Sequence, residues 1–429
     1  MEFLNLLRTN PNYRYTWMGQ VVSEIGDHFN NIAVFDLALK YTGSGMVVTG
    51  VMLSRAVPAI LIGPYAGVVL DRLDRKRIMI ISDLVRAVVA LGFISTLTTH
   101  STSLLYVLSA LLMLASPFFT AGRSSIMPTI TSKAELRTAN SLTQTTQWTT
   151  ITLGTFAGGA AVSQFGFEWA FVLNSISFLF SAWSISRLTA SGGFRVRRDA
   201  LNETKVVRPW HDYKEGLSYM RAKPLIMGIA LISVGWATGG GAAQILFTLF
   251  GELVFKRGAA GIGIVWGSAG LGLLMGGVIA HWLTKRVTFS GYKKTVSICY
   301  AIHGLTYILF AREQVFLVAL MFIAASRAAV AISSVMNTLQ LLRHVSDEYR
   351  GRVFATNETL SWTVQMMSMM AAGIASQHYN PRQIGIVAGM LSGSTAIFWG
   401  LANAFGKLPE PALSGVDPRE IEVHEEHGV

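Results

Sequence analysis

Twelve times along this chain a stretch of about 20 mostly apolar residues appears, the length a helix needs to cross the hydrocarbon core of a bilayer. Bounded by charged or Gly/Pro-containing breaks, the stretches cover 17–40, 46–70, 77–99, 103–121, 138–163, 167–187, 223–250, 259–284, 294–312, 314–337, 353–377 and 382–404. Lipid offers backbone N–H and C=O groups no partner, so each stretch must satisfy its own hydrogen bonds as a helix. The expected fold class is an all-α membrane protein with twelve transmembrane helices in two pseudo-symmetric six-helix bundles. Composition agrees: 51% of residues are hydrophobic and only 14% charged, against roughly a quarter charged in soluble domains. The opening MEFLNLLRTNPNYRYTW has too short an apolar run for a cleavable signal and leads straight into the first span.

A formal net charge of +11 would suggest a nucleic-acid partner in a soluble protein, but its distribution points elsewhere. Twelve spans put both ends on one side, and 27 of the 35 Lys and Arg residues fall in the segments on that side, against five on the other. The remaining three, Arg55, Arg86 and Arg327, lie within spans. By the positive-inside rule both termini are cytoplasmic, and no nucleic acid is expected. Cys299 is the only cysteine, which excludes an internal disulfide and any Cys-x-x-Cys site.

The longest polar stretch, 188–222, divides the spans six and six and is read as a cytoplasmic linker. The expected organisation is therefore an N-terminal bundle at 1–187, the linker, a C-terminal bundle at 223–405 and a disordered cytoplasmic tail at 406–429. An internal repeat supports duplication. GVVLDRLDRK from Gly67 aligns with GVIAHWLTKR from Gly277, Ala115-Ser116 with Ala325-Ser326, and Trp148 with Trp362, at nearly constant offset.

Within the first span Gln20, Glu24, Asp27 and Asn31 recur at i, i+4, i+7 and i+11, one narrow face of a helix. Carboxylates at bilayer depth are costly and normally face a bundle interior or a wet cavity, as proton, ion or substrate sites. The alternative is a structural pair neutralised by Arg55 or another buried cation. Arg55 either pairs with those acids or meets an anionic substrate, and Asp83 with Arg86, one turn apart, is read as a structural pair. Polar stripes also mark the fourth span (Ser109, Ser116, Thr120, Arg123), the seventh (Gly241, Gln244, Thr248, Glu252), the tenth (Arg327, Ser334, Thr338) and the eleventh (Glu358, Ser361, Gln365). Spans one, four, seven and ten hold equivalent places in the repeat and are expected to line one central cavity; for the Ser and Thr positions the alternative is polar side chains that join helix to helix, a reading that suits Arg327 less well. Met366, Met367, Met369 and Met370 could offer a soft surface to varied hydrophobic ligands or simply face lipid and neighbouring helices. His303 is read as a packing residue. With no Walker A loop, HExxH or nucleophile elbow, neither enzyme activity, cofactor nor metal is expected.

On these features the chain resembles the major facilitator superfamily over residues 12 to 405. Gly67, Asp71, Arg72, Arg75 and Lys76 match that superfamily's loop between spans two and three, with Asp74 where a second glycine is usual. GQVVSEIGDHFNNIAV, SDLVRA, RSSIMPTITSKAELRTANSL and RGRVFATNETL are similar to the branch of macrolide-efflux proteins and enterobactin exporters. The resemblance implies that Asp71 and Arg75 form a cytoplasmic gate latch. It implies that Gly154-Thr155-Phe156-Ala157-Gly158-Gly159 corresponds to an antiporter motif, with threonine in place of proline. It also implies a monomer in a bacterial cytoplasmic membrane. The expected function is proton-coupled efflux of an amphipathic small molecule by alternating access, with Glu24 and Asp27 as coupling carboxyls. An importer or uniporter of a lipid-like or anionic solute is the rival, and a transport-dead receptor or scaffold a remote one.

Overall fold

Residues 2–189, 194 and 209–410 are described by the computed structural model of the protein. Among them only helices and their connections occur. A short α1 (Glu2–Thr9) leads into α2 (Pro11–Thr42), followed by α3 (Gly45–Arg72), α4 (Arg75–Gly92) with its continuation α5 (Ile94–Thr99), α6 (Thr102–Ile130), α7 (Lys133–Phe165) and α8 (Phe167–Ser186). The second half holds α9 (Pro209–Ala222), α10 (Pro224–Leu249), α11 (Gly258–Leu283), α12 (Phe289–Arg312), α13 (Phe316–His344) and α14 (Asp347–Ala375), and ends in α15 (Pro381–Gly393) with its continuation α16 (Thr395–Ala404). Local chemistry sets the ends. Asn10 caps α2 by accepting from the Tyr13 N–H at 2.9 Å with Pro11 in the first turn, and Gly43 at φ 65° closes it. Ser132 and Glu135 form a reciprocal capping box at the start of α7.

Nine of the described helical rods are long and apolar enough to cross a membrane. Three more long helices, α2, α7 and α14, at 32, 33 and 29 residues, complete the expected twelve. Their lower hydropathy has a physical reason: these three line the interior cavities described below, and a helix wetted along one face carries fewer apolar side chains than one surrounded by lipid.

The two bundles repeat one neighbour scheme. In the first, α2 packs on α7 and α8, α6 on α3 and α4, and α4 on α8. In the second, α10 packs on α14 and α15, α13 on α11 and α12, and α12 on α15. Each member of the second set is the repeat equivalent of one in the first. The bundles meet through α7 against α11 and α3 against α14, which are also repeat-related pairs.

Small residues make these contacts close. A Cβ on Gly159 would sit 2.8 Å from the Ala259 carbonyl oxygen and the Gly263 Cα, so α7 and α11 touch backbone to backbone there. At the same end of the molecule α3 and α14 are locked where Thr49 abuts Gly373 and Gly45 abuts Ser376. Towards the other end, where the chain begins, α3 and α14 part. A Cβ on Gly63 or Gly67 would meet nothing within 4 Å, and Glu358, Thr359, Trp362 and Thr363 of α14 are exposed. Gly67 therefore does not accept a neighbouring helix in this state. The cleft is shut at one end and open at the other.

The α3–α4 loop is tied to its own bundle. Asp74 caps α4, accepting from the Arg77 N–H at 3.0 Å, which explains why glycine is not required there. Arg75 lies 3.8 Å from Asp71 and donates to the Ser125 carbonyl at 2.7 Å, while Lys76 donates to the Leu188 carbonyl at 2.8 Å. Most of the expected linker and nearly all of the expected tail lie outside the described residues. The linker's described end is α9, clamped to the start of α14 by Arg352, which reaches Asp212 at 3.3 Å and Glu215 at 3.0 Å.

Gly159→Leu should drive α7 from α11 and lower the protein's stability in detergent by about 1–3 kcal/mol. Gly67→Ala, placed in open space within α3, should be tolerated and raise stability by up to about 1 kcal/mol. Equal melting curves for Gly159→Leu and the parent would contradict the backbone-to-backbone crossing.

Candidate functional site

The expected polar face of the first span exists, but its members divide between two cavities. The smaller, of about 320 Å³, lies within the first bundle and is lined by Glu24, Asp27 and His28 of α2, Arg86 of α4, Thr120 and Arg123 of α6, and Gln147, Thr150 and Ile151 of α7. The larger, of about 780 Å³, lies between the bundles, within the size range of small-molecule sites. Its walls are His28, Asn31, Ile32 and Phe35 of α2, Met52 and Arg55 of α3, Gln244 of α10, Trp266 of α11, and Glu358, Trp362, Gln365, Met366 and Met369 of α14, among others. His28 and Ile151 line both and form the shared wall.

Glu24 is fully engaged. Its Oε1 accepts from Arg123 Nη1 at 3.3 Å and Gln20 Nε2 at 2.9 Å, and its Oε2 accepts from Thr150 Oγ1 at 2.6 Å. Gln20 is itself buried, donates to the Thr143 carbonyl at 3.2 Å as well, and lines neither cavity. The cation that neutralises Glu24 is thus Arg123, 99 positions away, and not Arg55. Arg123 lies well inside a helix because α6 runs nine residues past the expected span limit of 121, to Ile130.

Asp27 differs. Its Oδ1 is buried without a hydrogen-bond partner. Nearby, Arg86 is committed to an ion pair with Asp83 and stacked between the rings of Phe119 and Phe178, at 4.7 and 4.3 Å, the structural pair expected from their spacing. The other cation that Asp27 feels is Arg55 across the shared wall. Arg55 Nη1 and Asn31 Oδ1 also lack partners. Asp36, a third acid of the first span, faces neither cavity and pairs with Lys40 at 3.0 Å.

The expectation that the tenth span lines the cavity does not hold. Arg327 on α13 is buried within the second bundle, 4.8 Å over the Phe247 ring, and lines neither cavity. Other α13 polar groups are used internally: Ser326 bonds His303 Nδ1 at 2.7 Å, and Asn337 accepts from the Tyr292 hydroxyl at 2.8 Å. His303 also meets Ser392 at 3.1 Å, a packing role as its position suggested. The eleventh span, α14, takes the place expected of the tenth, bringing Glu358 and Gln365 to the cavity. Its methionines alternate: Met366 and Met369 face the cavity, while Met367 and Met370 are exposed on the outside. His28, Trp266 and Trp362 were not singled out from sequence. The Trp148–Trp362 repeat match marked one of them without indicating which way it faces.

A family model for the Major Facilitator Superfamily matches residues 16–362. Among relatives, a protein named as a bacilysin exporter, BacE, of Bacillus subtilis is 24% identical over 352 residues, covering 81% of this chain and 84% of its own. Macrolide efflux protein A of Streptococcus pyogenes is 22% identical over 403 residues, covering 91% and 96%. In fold, the chain is similar to a bacterial homologue of the iron transporter ferroportin in its inward-facing state, with TM-score 0.69 at 14% identity, covering 90% of this chain and 98% of the other. An inward-facing bacterial homologue of the lysosomal transporter Spinster gives TM-score 0.64 at 15% identity, with coverage of 93% and 97%. Two repeat-related helix bundles around a cavity and a match over most of the sequence lead to one conclusion: this multi-pass membrane protein belongs to the major facilitator superfamily.

Proposed function

We propose that the chain is a proton-coupled secondary transporter that exports an amphipathic small molecule by alternating access. Both termini would lie on the cytoplasmic side of a bacterial cytoplasmic membrane, which places the open end of the large cavity towards the cytoplasm and makes this the inward-facing state. The observation that carries the reading is the pair of cavities with one wall in common. An apolar chamber suited to cargo stands beside a polar chamber holding carboxyls, so cargo and proton can sense each other without sharing a ligand.

The two acids take different roles. Glu24 accepts three hydrogen bonds, two from neutral groups and one from Arg123, an arrangement that holds α2, α6 and α7 together. Asp27, with a free oxygen in the smaller chamber, is the group able to accept and release a proton as access alternates. Export is supported by the named functions of the two efflux-related relatives. The rival, import of an anionic solute, draws on Arg55 in the cavity wall.

In proteoliposomes with erythromycin or tetraphenylphosphonium as trial cargo, Asp27→Asn should abolish flux driven by a pH gradient while barely changing thermal stability. Glu24→Gln, which strands Arg123, should cost about 2 kcal/mol of stability. Proton-linked flux surviving in Asp27→Asn would sink the assignment, and reversed gradient dependence in the parent protein would favour import.

The inward-open assignment has a separate test. In a Cys299→Ala background, Glu358→Cys should react with a membrane-impermeant thiol reagent in inside-out vesicles and stay protected in right-side-out ones. The opposite pattern would invert the orientation.

A further inference from the structure

The large cavity holds two permanently or readily charged side chains of opposite sign, Arg55 on α3 and Glu358 on α14. They stand at different depths. Thr49 of α3 abuts Gly373 of α14 and Gly45 abuts Ser376, so in these antiparallel helices Arg55 faces roughly the level of Gln365 and Met366. Glu358 lies about 10 Å nearer the open end, at 1.5 Å of rise per residue. Glu358 is exposed to the cavity mouth, with Trp362 one turn further in. A carboxylate beside aromatic rings suits a cation on an apolar body.

Arg55 occupies the deeper position, with Nη1 unpartnered. Of the carboxylates in and beside the smaller chamber, Glu24 is bound by Arg123 and Asp83 by Arg86, whereas Asp27 keeps an unpartnered oxygen and lies between Arg86 on its own side and Arg55 across the shared wall. His28 stands in the wall between them and also interacts with Arg55.

We propose that Arg55 is the positioning residue through which the proton site acts on the cargo site, and that the cargo carries a positive charge. With Asp27 ionised, the charge of Arg55 is partly offset across the wall, and a cation can enter past Glu358. With Asp27 protonated, that offset is lost and the guanidinium repels the cation from the deep end of the cavity. Proton and cargo then exclude one another through an arginine that neither of them touches covalently, which is the condition for exchange. An anionic cargo would behave in the reverse sense, binding together with the proton. The proposal rests on the reading of Asp27 as the proton carrier.

Tetraphenylphosphonium and tetraphenylborate, alike in shape and opposite in charge, test it by quenching of tryptophan fluorescence in nanodiscs at pH 8 and pH 5.5, with empty nanodiscs subtracted. In the parent protein, phosphonium affinity should fall on the order of tenfold at the lower pH, and borate affinity should rise. Both ions responding with the same sign overturns the proposal. Asp27→Asn should bind phosphonium weakly at both pH values. Arg55→Gln should bind it tightly at both, Arg55→Lys should restore the swing, and Glu358→Gln should weaken binding at both while keeping the swing. A full swing in Arg55→Gln overturns the proposal, as does loss of the swing in Glu358→Gln, or in His28→Asn while Arg55→Gln retains it. Flux that ignores Asp27 defeats the underlying function instead, whereas flux that needs Asp27 alongside an intact swing in Arg55→Gln defeats the role of Arg55 alone.

Discussion

A charge placed where lipid would be must find either a partner or water, and that requirement shapes the whole first bundle. Glu24 on α2 meets it by gathering Arg123 from α6, Thr150 from α7 and Gln20 from its own helix. Three helices are thereby tied around one carboxylate, and their polar faces turn inward as a consequence. Taking both members of such a pair out of water is costly, and removing one of them strands the other. The arrangement persists because the neighbouring hydroxyl and amide satisfy the lone pairs the arginine leaves free. Asp27, one turn deeper, lacks that satisfaction. One helix face thus carries a satisfied acid, Glu24, and an unsatisfied one, Asp27.

Much of the architecture was legible in the sequence because it follows from local rules. Run length marked the spans, and the repeat around Gly67 and Gly277 announced two bundles with a common neighbour scheme. The face holding Gln20, Glu24, Asp27 and Asn31 was visible as a period. What a period cannot disclose is the neighbour that a face will meet. Glu24 and Arg123 are far apart in sequence, and no spacing rule joins them. The tenth span looked suited to the cavity because Arg327 sits in mid-span, yet Phe247 of α10 covers that guanidinium and the neighbouring Ser326 is spent on His303. Repeat equivalence was read as a shared role, but the bundles join through α7 with α11 and α3 with α14, and this junction places α14 at the cavity. His28 escaped notice since a lone histidine beside two acids carries no periodic signal of its own.

Hydropathy and function are opposed in a helix that must be wet on one side. The three long helices short of the apolarity needed for a confident crossing are α2, α7 and α14, and these supply most of the polar and aromatic walls of the two cavities. In such a protein a weak span deserves more weight than a strong one as a pointer to the working surface. α7 combines both demands. One side carries Gln147 and Thr150 to the small chamber, while Gly159 brings the helix against Gly263 of α11. The wall of the smaller chamber is therefore also part of the packing surface between bundles.

The duplicated halves have diverged in a way that suits a division of labour. Where the first bundle has Ser23-Glu24-Ile25-Gly26-Asp27, the second has Ser233-Val234-Gly235-Trp236-Ala237. The corresponding part of α10 is packed with Gly239, Gly240 and Gly241, and a Cβ on Gly239 or Gly241 would run into the backbone of α15 or α14. Buried glycines at such contacts give a helix little freedom to rearrange its neighbours and no charge to regulate. The second bundle thus presents Gln244, Trp266 and the α14 face to the large cavity, while the carboxyls of the smaller chamber belong to the first. Any movement of one relative to the other would have to exchange the contacts at the closed end, among them Thr49 on Gly373 and Gly45 on Ser376, for contacts at the open one. Among the described residues no ion pair joins α3 to α14, but the closed end is also sealed by an apolar cluster that unites Val48, Val51 and Met52 of α3 with Leu249 of α10 and Met369 and Ala372 of α14. Opening that end must expose this surface, so contacts formed at the opposite end have to offset a hydrophobic cost as well as a packing one.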